Sequence, residues 1–271
     1  MTANAPPTLT LTALPGIPLV EPGDDIAAFI VQALDEAGIA LAPDDIMVVA
    51  QKIVSKAEGR FVFLDEVEAS EAAQQLAALT GKAARYLQVV LDEAVRVERA
   101  RRGVIVTETT GGWVVANSAV DRSNVSQEGG ERLLLLPADP DGSARRLRKA
   151  IAARTGQRVA IIISDSHGRP FRLGAVGVAI GVAGLPPLTD LRGQPDLFGY
   201  ELQSTIMATA DEIAAAASLL QGQTTQRSPV VHLRGLRLPT DDEATARWLQ
   251  RPRDEDMFRA GWVNPTPGEE A

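Results

Sequence analysis

Two wholly apolar runs constrain this chain most. Ile46-Met47-Val48-Val49-Ala50 and Val159-Ala160-Ile161-Ile162-Ile163 each give way at once to a dense polar string, QKIVSKAEGR and SDSHGRP. Runs of this kind predict buried strands that deliver polar groups at their ends. Helical spacing surrounds them. Ile26, Phe29, Ile30, Ala33, Leu34 and Ala37 recur on one face, between an Asp24 or Asp25 cap and a Gly38 terminator. Further helices are predicted from the Ser70 cap to Gly81, over Ala84 to Arg99, from Asp141 to Thr155 before Gly156, and over Ser204 to Leu220. Val104 to Thr107 and Trp113 to Val115 flank the turn-forming Thr110-Gly111-Gly112 and predict a hairpin. Leu133 to Leu136 and Val230-Val231 read as short strands, and the segment from Leu236 onward as a polar, Pro-containing tail. Hairpin strands mixed with strand-helix units predict an α+β or mixed α/β fold.

Composition narrows the chemistry. The 271 residues suffice for one or two domains with a real core. A net charge of −8 disfavours a phosphate backbone as partner, and Trp113, Trp248 and Trp262 are not interleaved with basic residues, so no nucleic acid is expected. With no cysteine and two histidines, thiolate sites, disulfides and His-rich metal sites are excluded. Any metal must be hard and held by oxygen, with Mg²⁺ or Mn²⁺ the natural candidates. The N-terminus lacks a basic region followed by an apolar core. The longest uncharged stretch, Leu173 to Thr189, is shorter than the roughly 20 apolar residues that span a bilayer. A cytoplasmic protein without a membrane partner is expected.

Candidate chemistry gathers at the strand ends. Lys52, Ser55, Lys56 and Arg60 follow the first apolar run, where ammonium and hydroxyl groups suit a triphosphate and a solvated turn is the plainer alternative. Asp121 stands in ANSAVDRSN beside Asn124, and Asp165 follows the second apolar run with Ser164, Ser166 and Arg169 around it. The two carboxylates can share a divalent cation, or each can cap a local turn. His167 is a possible acid-base group, Glu212 and Asp211 are carboxylates inside an apolar helix, and His232 reads as a structural histidine between apolar neighbours. Gly174, Gly177, Gly181 and Gly184 match no phosphate-loop spacing, so their string reads equally as a close-packed strand or a loop.

The strings LPGIPLVEPGDD, VVAQKIVSKAEGR, ANSAVDRSN, LLLLPADPDGSARRLR, ISDSHGRPFRLGAVGVAIGVAGLPPL, DLFG and ADEIAAAA occur in order between Leu11 and Gly235. In these the chain resembles the coenzyme F420-0:L-glutamate ligase family. The resemblance implies a two-lobed α+β fold, a homodimer, and a GTP-dependent, Mg²⁺- or Mn²⁺-dependent ligase that joins L-glutamate to the terminal carboxylate of F420-0 through an acyl phosphate. It implies a catalytic unit over residues 1–235 with a tail over 236–271. It places nucleotide contacts on Leu14, Pro15, Gly16, Ile17, Lys52, Ser55, Lys56, Asn124 and Gln223, and metal ligation on Asp121, Asp165 and Ser166. Asp121, Asp165, Lys56 and Glu212 are the implied catalytic set, with His167 a second candidate base. Two positions depart from the pattern: Ser118-Ala119 replaces an Ala-Gly pair common before that Val-Asp, and His167 replaces another residue type. Some members carry an added flavin domain, for which this chain is too short after Gly235, so no FMN is expected. Another metal-dependent phosphotransferase, or a non-catalytic F420-0 or nucleotide binder, would carry the same carboxylates.

Overall fold

A computed structural model describes residues 6–256 and 258. Strand β1 (Thr10–Ala13) precedes helix α1 (Ile26–Glu36), strand β2 (Ile46–Ala50), helix α2 (Gln51–Ala57) and strand β3 (Phe61–Phe63). Helices α3 (Glu71–Thr80) and α4 (Ala84–Asp92) lead into β4 (Ala94–Arg101), β5 (Val104–Thr109), β6 (Val114–Ala116) and β7 (Arg132–Leu134). Helix α5 (Pro140–Thr155), strands β8 (Ala160–Gly168), β9 (Ala175–Ala183), β10 (Thr189–Asp190) and β11 (Ile206–Met207), helix α6 (Thr209–Gln221) and strand β12 (Val230–Arg234) follow.

The central sheet runs β1-β12-β2-β8-β9. Strands β2 and β8 pair in parallel and every other pair is antiparallel. Side chains alternate across a strand, and here both faces are apolar. Met47, Val49, Ile161 and Ile163 pack against α1 and α5 on one side, while Ile46, Val48 and Ile162 pack against α6 on the other. Each such side chain, once wholly buried, stabilises by about 1.5–3 kcal/mol. Local chemistry sets the helix ends. The Asp25 carboxylate accepts from the Ala28 N–H at 3.0 Å to start α1; Asp139 accepts from Gly142 N–H at 2.9 Å to start α5, which stops at left-handed Gly156. The glycine string is strand β9. A Cβ on Gly177 would lie 2.5 Å from the Ala214 carbonyl, and one on Gly181 2.5 Å from that of Pro140, so these glycines let α6 and α5 approach the strand.

A second lobe has its own core, built from Leu87 and Val90 of α4, Ile105 of β5, Leu133 and Leu135. The fold is therefore α+β with two lobes. Three sequence expectations change. Helix α4 ends at Asp92 rather than near Arg99, because Ala94 to Arg101 pair with β5 around Gly103; the ladder hydrogen bonds and the β-branched Val95 and Val97 override the helical spacing. Helix α6 starts at Thr209 because Ile206 and Met207 pair with β10 instead. The segment after Gly235 is not a mere tail over its described part: Ala244 and Ala246 are buried, and Asp141 of α5 accepts hydrogen bonds from Thr245 Oγ1 and from the Ala246 N–H at 3.0 Å. Trp262 lies outside the described residues. Among the described residues no helix is long and apolar enough to cross a membrane.

Candidate functional site

Strand β2 ends at Ala50, opposite Ser164 of β8, and a cleft of about 360 Å³ opens beyond that point. Ile17 to Val20 form one wall, Ala50 to Ile53 with Lys56 a second, and the segment from Gln221, the last residue of α6, to Pro229 a third, with Asn124 and Ser164 to Ser166 completing it.

The polar string after β2 is a helix, not a turn. Its turn spacing puts Lys52 and Lys56, four residues apart, on the cleft side; Gln51, though buried, touches the cleft wall, while Ser55 faces inward. Ser55 is 0% exposed and its hydroxyl donates to Gln51 Oε1 at 2.8 Å, so it supports the helix from within and does not line the cleft. Burial lowers the Lys56 ammonium pKa; Glu21 works against that shift, and the positive charges of Lys52 and Arg132 add to it. Crowded cations of this kind gain from an anion.

Asp121 is held by an unusual turn. Asn117, Ser118 and Ala119 take φ values of 56°, 54° and 54° in succession. Ser118 anchors them: its hydroxyl donates to the Val90 carbonyl at 2.7 Å, and its N–H donates to Thr107 Oγ1 at 3.0 Å. Asp121 then bridges to Leu134 through paired backbone hydrogen bonds of 2.9 and 2.8 Å. Its carboxylate accepts from Gln51 Nε2 at 2.9 Å and lies 3.3 Å from Lys52 Nζ, which also donates to Ser123 Oγ at 2.7 Å. Burial pushes the carboxyl pKa up to about 6; Lys52 opposes the rise and the negative charge of Asp165 adds to it.

Asp165 sits inside β8 and not in a loop after it, since pairing with β9 continues through Gly168. His167 Nε2 is 3.0 Å from Asp165 Oδ2. Burial disfavours the Asp165 charge, but His167, the Ser166 N–H and Lys52 outweigh it and hold the carboxyl below its ordinary range. Ser166 Oγ accepts from Gln223 Nε2 at 2.8 Å. Among the described residues no three His, Asp or Glu side chains converge on a metal-sized point. The donors available to a cation are therefore two mutually repelling carboxylates with the neutral oxygens of Ser166 and Gln223, a set that suits a hard divalent ion.

The other candidates divide. Ile17, Asn124 and Gln223 line the cleft, whereas the Leu14 side chain is core and Pro15 and Gly16 are exposed. Gly16 has φ +74°, and a Cβ there would meet the Glu36 carboxylate at 2.3 Å. Glu212, the candidate base, is on the exposed face of α6 and lines neither the cleft nor the hollow beside His167; its neighbour Asp211 is the one turned inward, accepting from the Ala179 N–H at 2.8 Å. Burial raises the Asp211 carboxyl pKa. Sequence spacing does not single out Thr224, Thr225, Arg227 and Ser228, which also line the cleft. Gly222 marks the start of that wall, for its φ of 68° with ψ −175° is a conformation kept for glycine.

The sequence matches known proteins. The pattern of the family described as F420-0:Gamma-glutamyl ligase matches residues 16–235. A coenzyme F420:L-glutamate ligase of Methanothermobacter thermautotrophicus is 45% identical over 93% of this chain and 99% of its own length. Proteins of the same description from Methanocaldococcus jannaschii and Methanopyrus kandleri are 46% and 42% identical, over 79% and 93% of this chain and 84% and 98% of theirs. The chain belongs to the F420-0:gamma-glutamyl ligase family and is a ligase of coenzyme F420 biosynthesis.

Proposed function

We propose that the protein joins L-glutamate to the terminal carboxylate of F420-0 in the cytoplasm, with GTP as the activating co-substrate and an acyl phosphate as the intermediate. One observation carries this reading: Asp165, largely enclosed, borders a cleft that also presents Lys52 and Lys56, and the partly exposed Asp121 stands 3.3 Å from Lys52 Nζ, near enough to feel the charge of Asp165. Two carboxylates among cations suit a nucleotide triphosphate with its cation better than they suit a neutral ligand.

A free carboxylate is a poor acyl donor because the oxygen it must lose is too basic. In the proposed sequence one carboxylate oxygen of F420-0 attacks the γ-phosphorus and GDP departs. The glutamate amine then attacks the acyl carbon, loses a proton, and expels phosphate that carries the attacking oxygen away. Lys52 and Lys56 neutralise phosphate charge, Ile17 and Asn124 border the nucleotide, and the Leu14 to Gly16 backbone supports that wall. Asp121 and Asp165, with Ser166 and Gln223, are the residues that would hold Mg²⁺ or Mn²⁺, whose chemistry there is to draw charge from the transferring phosphoryl group and hold it in line.

A homodimer is part of the proposal. Residues 189–207 form an arm whose tip is shaped by Asp196, which accepts from the Phe198 and Tyr200 N–H groups at 2.8 and 2.9 Å. The tip leaves Leu197 97% and Phe198 94% exposed, apolar surface that a second copy would cover.

The test is incubation with F420-0, L-glutamate, GTP and Mn²⁺, read by mass spectrometry. A product heavier by one glutamyl residue with one GDP per amide is expected, and Asp165→Asn should abolish it while keeping the parent's thermal transition. Amide formation without GTP, or at the parent's rate in Asp165→Asn, would contradict the reading.

A further inference from the structure

The Asp165 carboxylate has one neighbour that the proposed chemistry does not use. His167 follows it by two residues on β8, which puts both side chains on the same face of the strand. The two are equally enclosed, each side chain 11% exposed, and Nε2 of the imidazole lies 3.0 Å from Oδ2 of the carboxylate. They look in different directions. Asp165 borders the nucleotide-sized cleft, whereas His167 borders a separate hollow of about 240 Å³, with Trp113, Val178 and Gln250 among its walls. On that side Asp211 is fixed by its hydrogen bond from the Ala179 N–H and lies near enough for its charge to be felt by the imidazole. The imidazole is thus wedged behind the carboxylate, away from any ligand in the cleft.

We propose that His167 is the positioning residue of Asp165. An N–H on Nε2 occupies one carboxylate oxygen, fixes the rotation of the carboxylate plane, and leaves the other oxygen to ligate the cation. This inference rests on the cation reading given above, and it adds a residue to which that reading gives no role. A carboxylate without such a partner must be ordered by the cation itself. Hydrogen-bond partners behind a ligand typically account for about 10–100-fold in metal affinity.

The experiment measures Mn²⁺ affinity of the full chain with GDP present, by electron paramagnetic resonance of the free ion, together with the metal-free thermal transition. Three variants are compared with the parent. His167→Phe keeps an aromatic ring but has no donor, His167→Ala removes the ring without crowding, and His167→Gln can place an amide N–H near the Nε2 position. The expected result is Mn²⁺ binding weakened at least tenfold in His167→Phe and His167→Ala, and largely recovered in His167→Gln. Equal affinity in the parent and in either donor-free variant that keeps the parent's transition would overturn the role of His167 alone. Weakening that His167→Gln does not recover would also overturn it, since bulk and not the N–H would then matter. A parent that binds no Mn²⁺, while Asp165→Asn behaves identically, would overturn the cation reading and this inference with it.

Discussion

Ala119 holds φ at 54° with a Cβ attached, at the end of three successive left-handed residues. Each non-glycine residue in that region costs about 1 kcal/mol or more, and such strain persists only where surrounding contacts impose it. Here the Ser118 hydrogen bonds to Val90 and Thr107 impose it, and the turn delivers Asp121. Ala119→Gly is expected to raise stability by about 0.5–1 kcal/mol in urea unfolding, because the relief exceeds the loss of one half-buried methyl group. A lower stability would show that the turn is not strained at that residue. Asp45 gives a different residue-scale prediction. Its carboxylate is 1% exposed; burial raises its pKa, but hydrogen bonds from Arg234 at 2.6 and 2.7 Å and from the Ala42 N–H, with His232 Nε2 2.9 Å away, bring it down to about 2. A carboxyl with a depressed folded-state pKa stabilises fully above its unfolded value of 3.8, and that contribution is lost as pH falls through about 2. Between pH 4 and 2 the parent should therefore lose stability more steeply than Asp45→Asn; parallel curves would remove the pair from the account.

At the scale of elements, helix α2 decides whether the cleft binds phosphate. Lys52→Ala or Lys56→Ala should raise KM for GTP at least about tenfold, since a charge-assisted contact contributes roughly 1.5–3 kcal/mol, with KM for glutamate little changed. Equal effects on both substrates would give the helix another role. The same element shows where sequence reading stops. The apolar periodicity of α1 and the apolar runs of the core strands were legible because burial leaves few choices of residue, and α5 was legible up to its Gly156 terminator. Segment 51–57 reads from sequence as a strand-end loop suited to a triphosphate or as a solvated turn, and not as a helix, since its four apolar-facing or bonded positions, Gln51, Ile53, Val54 and Ser55, mix polar and apolar types. Buried glutamine and serine satisfy each other and Asp121 there, which composition does not reveal. Asp165 was legible as a carboxylate following an apolar strand, and it borders the cleft, but its place inside a strand was not legible, because pairing with β9 lies in the partner strand and not in SDSHG itself. Strand β4 was hidden in the same way, its ladder supplied by β5. Glu212 and Asp211 are adjacent in sequence, and only the direction of α6 distinguishes the exposed one from the one turned in.

For the whole molecule, the cleft joins the two lobes: Lys52 from the central sheet's end meets Asp121 and Ser123 from the segment leading to β7. Relative movement of the lobes would separate these groups. The arm at 189–207 makes a prediction of the same scale: Leu197→Asp with Phe198→Asp should convert a sedimenting dimer to monomer with its thermal transition retained, whereas a parent that sediments as monomer would contradict the dimer. The central claim is that a carboxylate of the substrate is activated by phosphoryl transfer in this cleft, and oxygen tracing tests it most directly. F420-0 labelled with ¹⁸O in its terminal carboxylate is turned over with unlabelled GTP and L-glutamate, and the released phosphate is examined by ³¹P NMR. One ¹⁸O per phosphate is expected, because the bond that breaks on amide formation lies between carbon and the oxygen that attacked phosphorus. Amide product accompanied by phosphate without ¹⁸O would contradict the account.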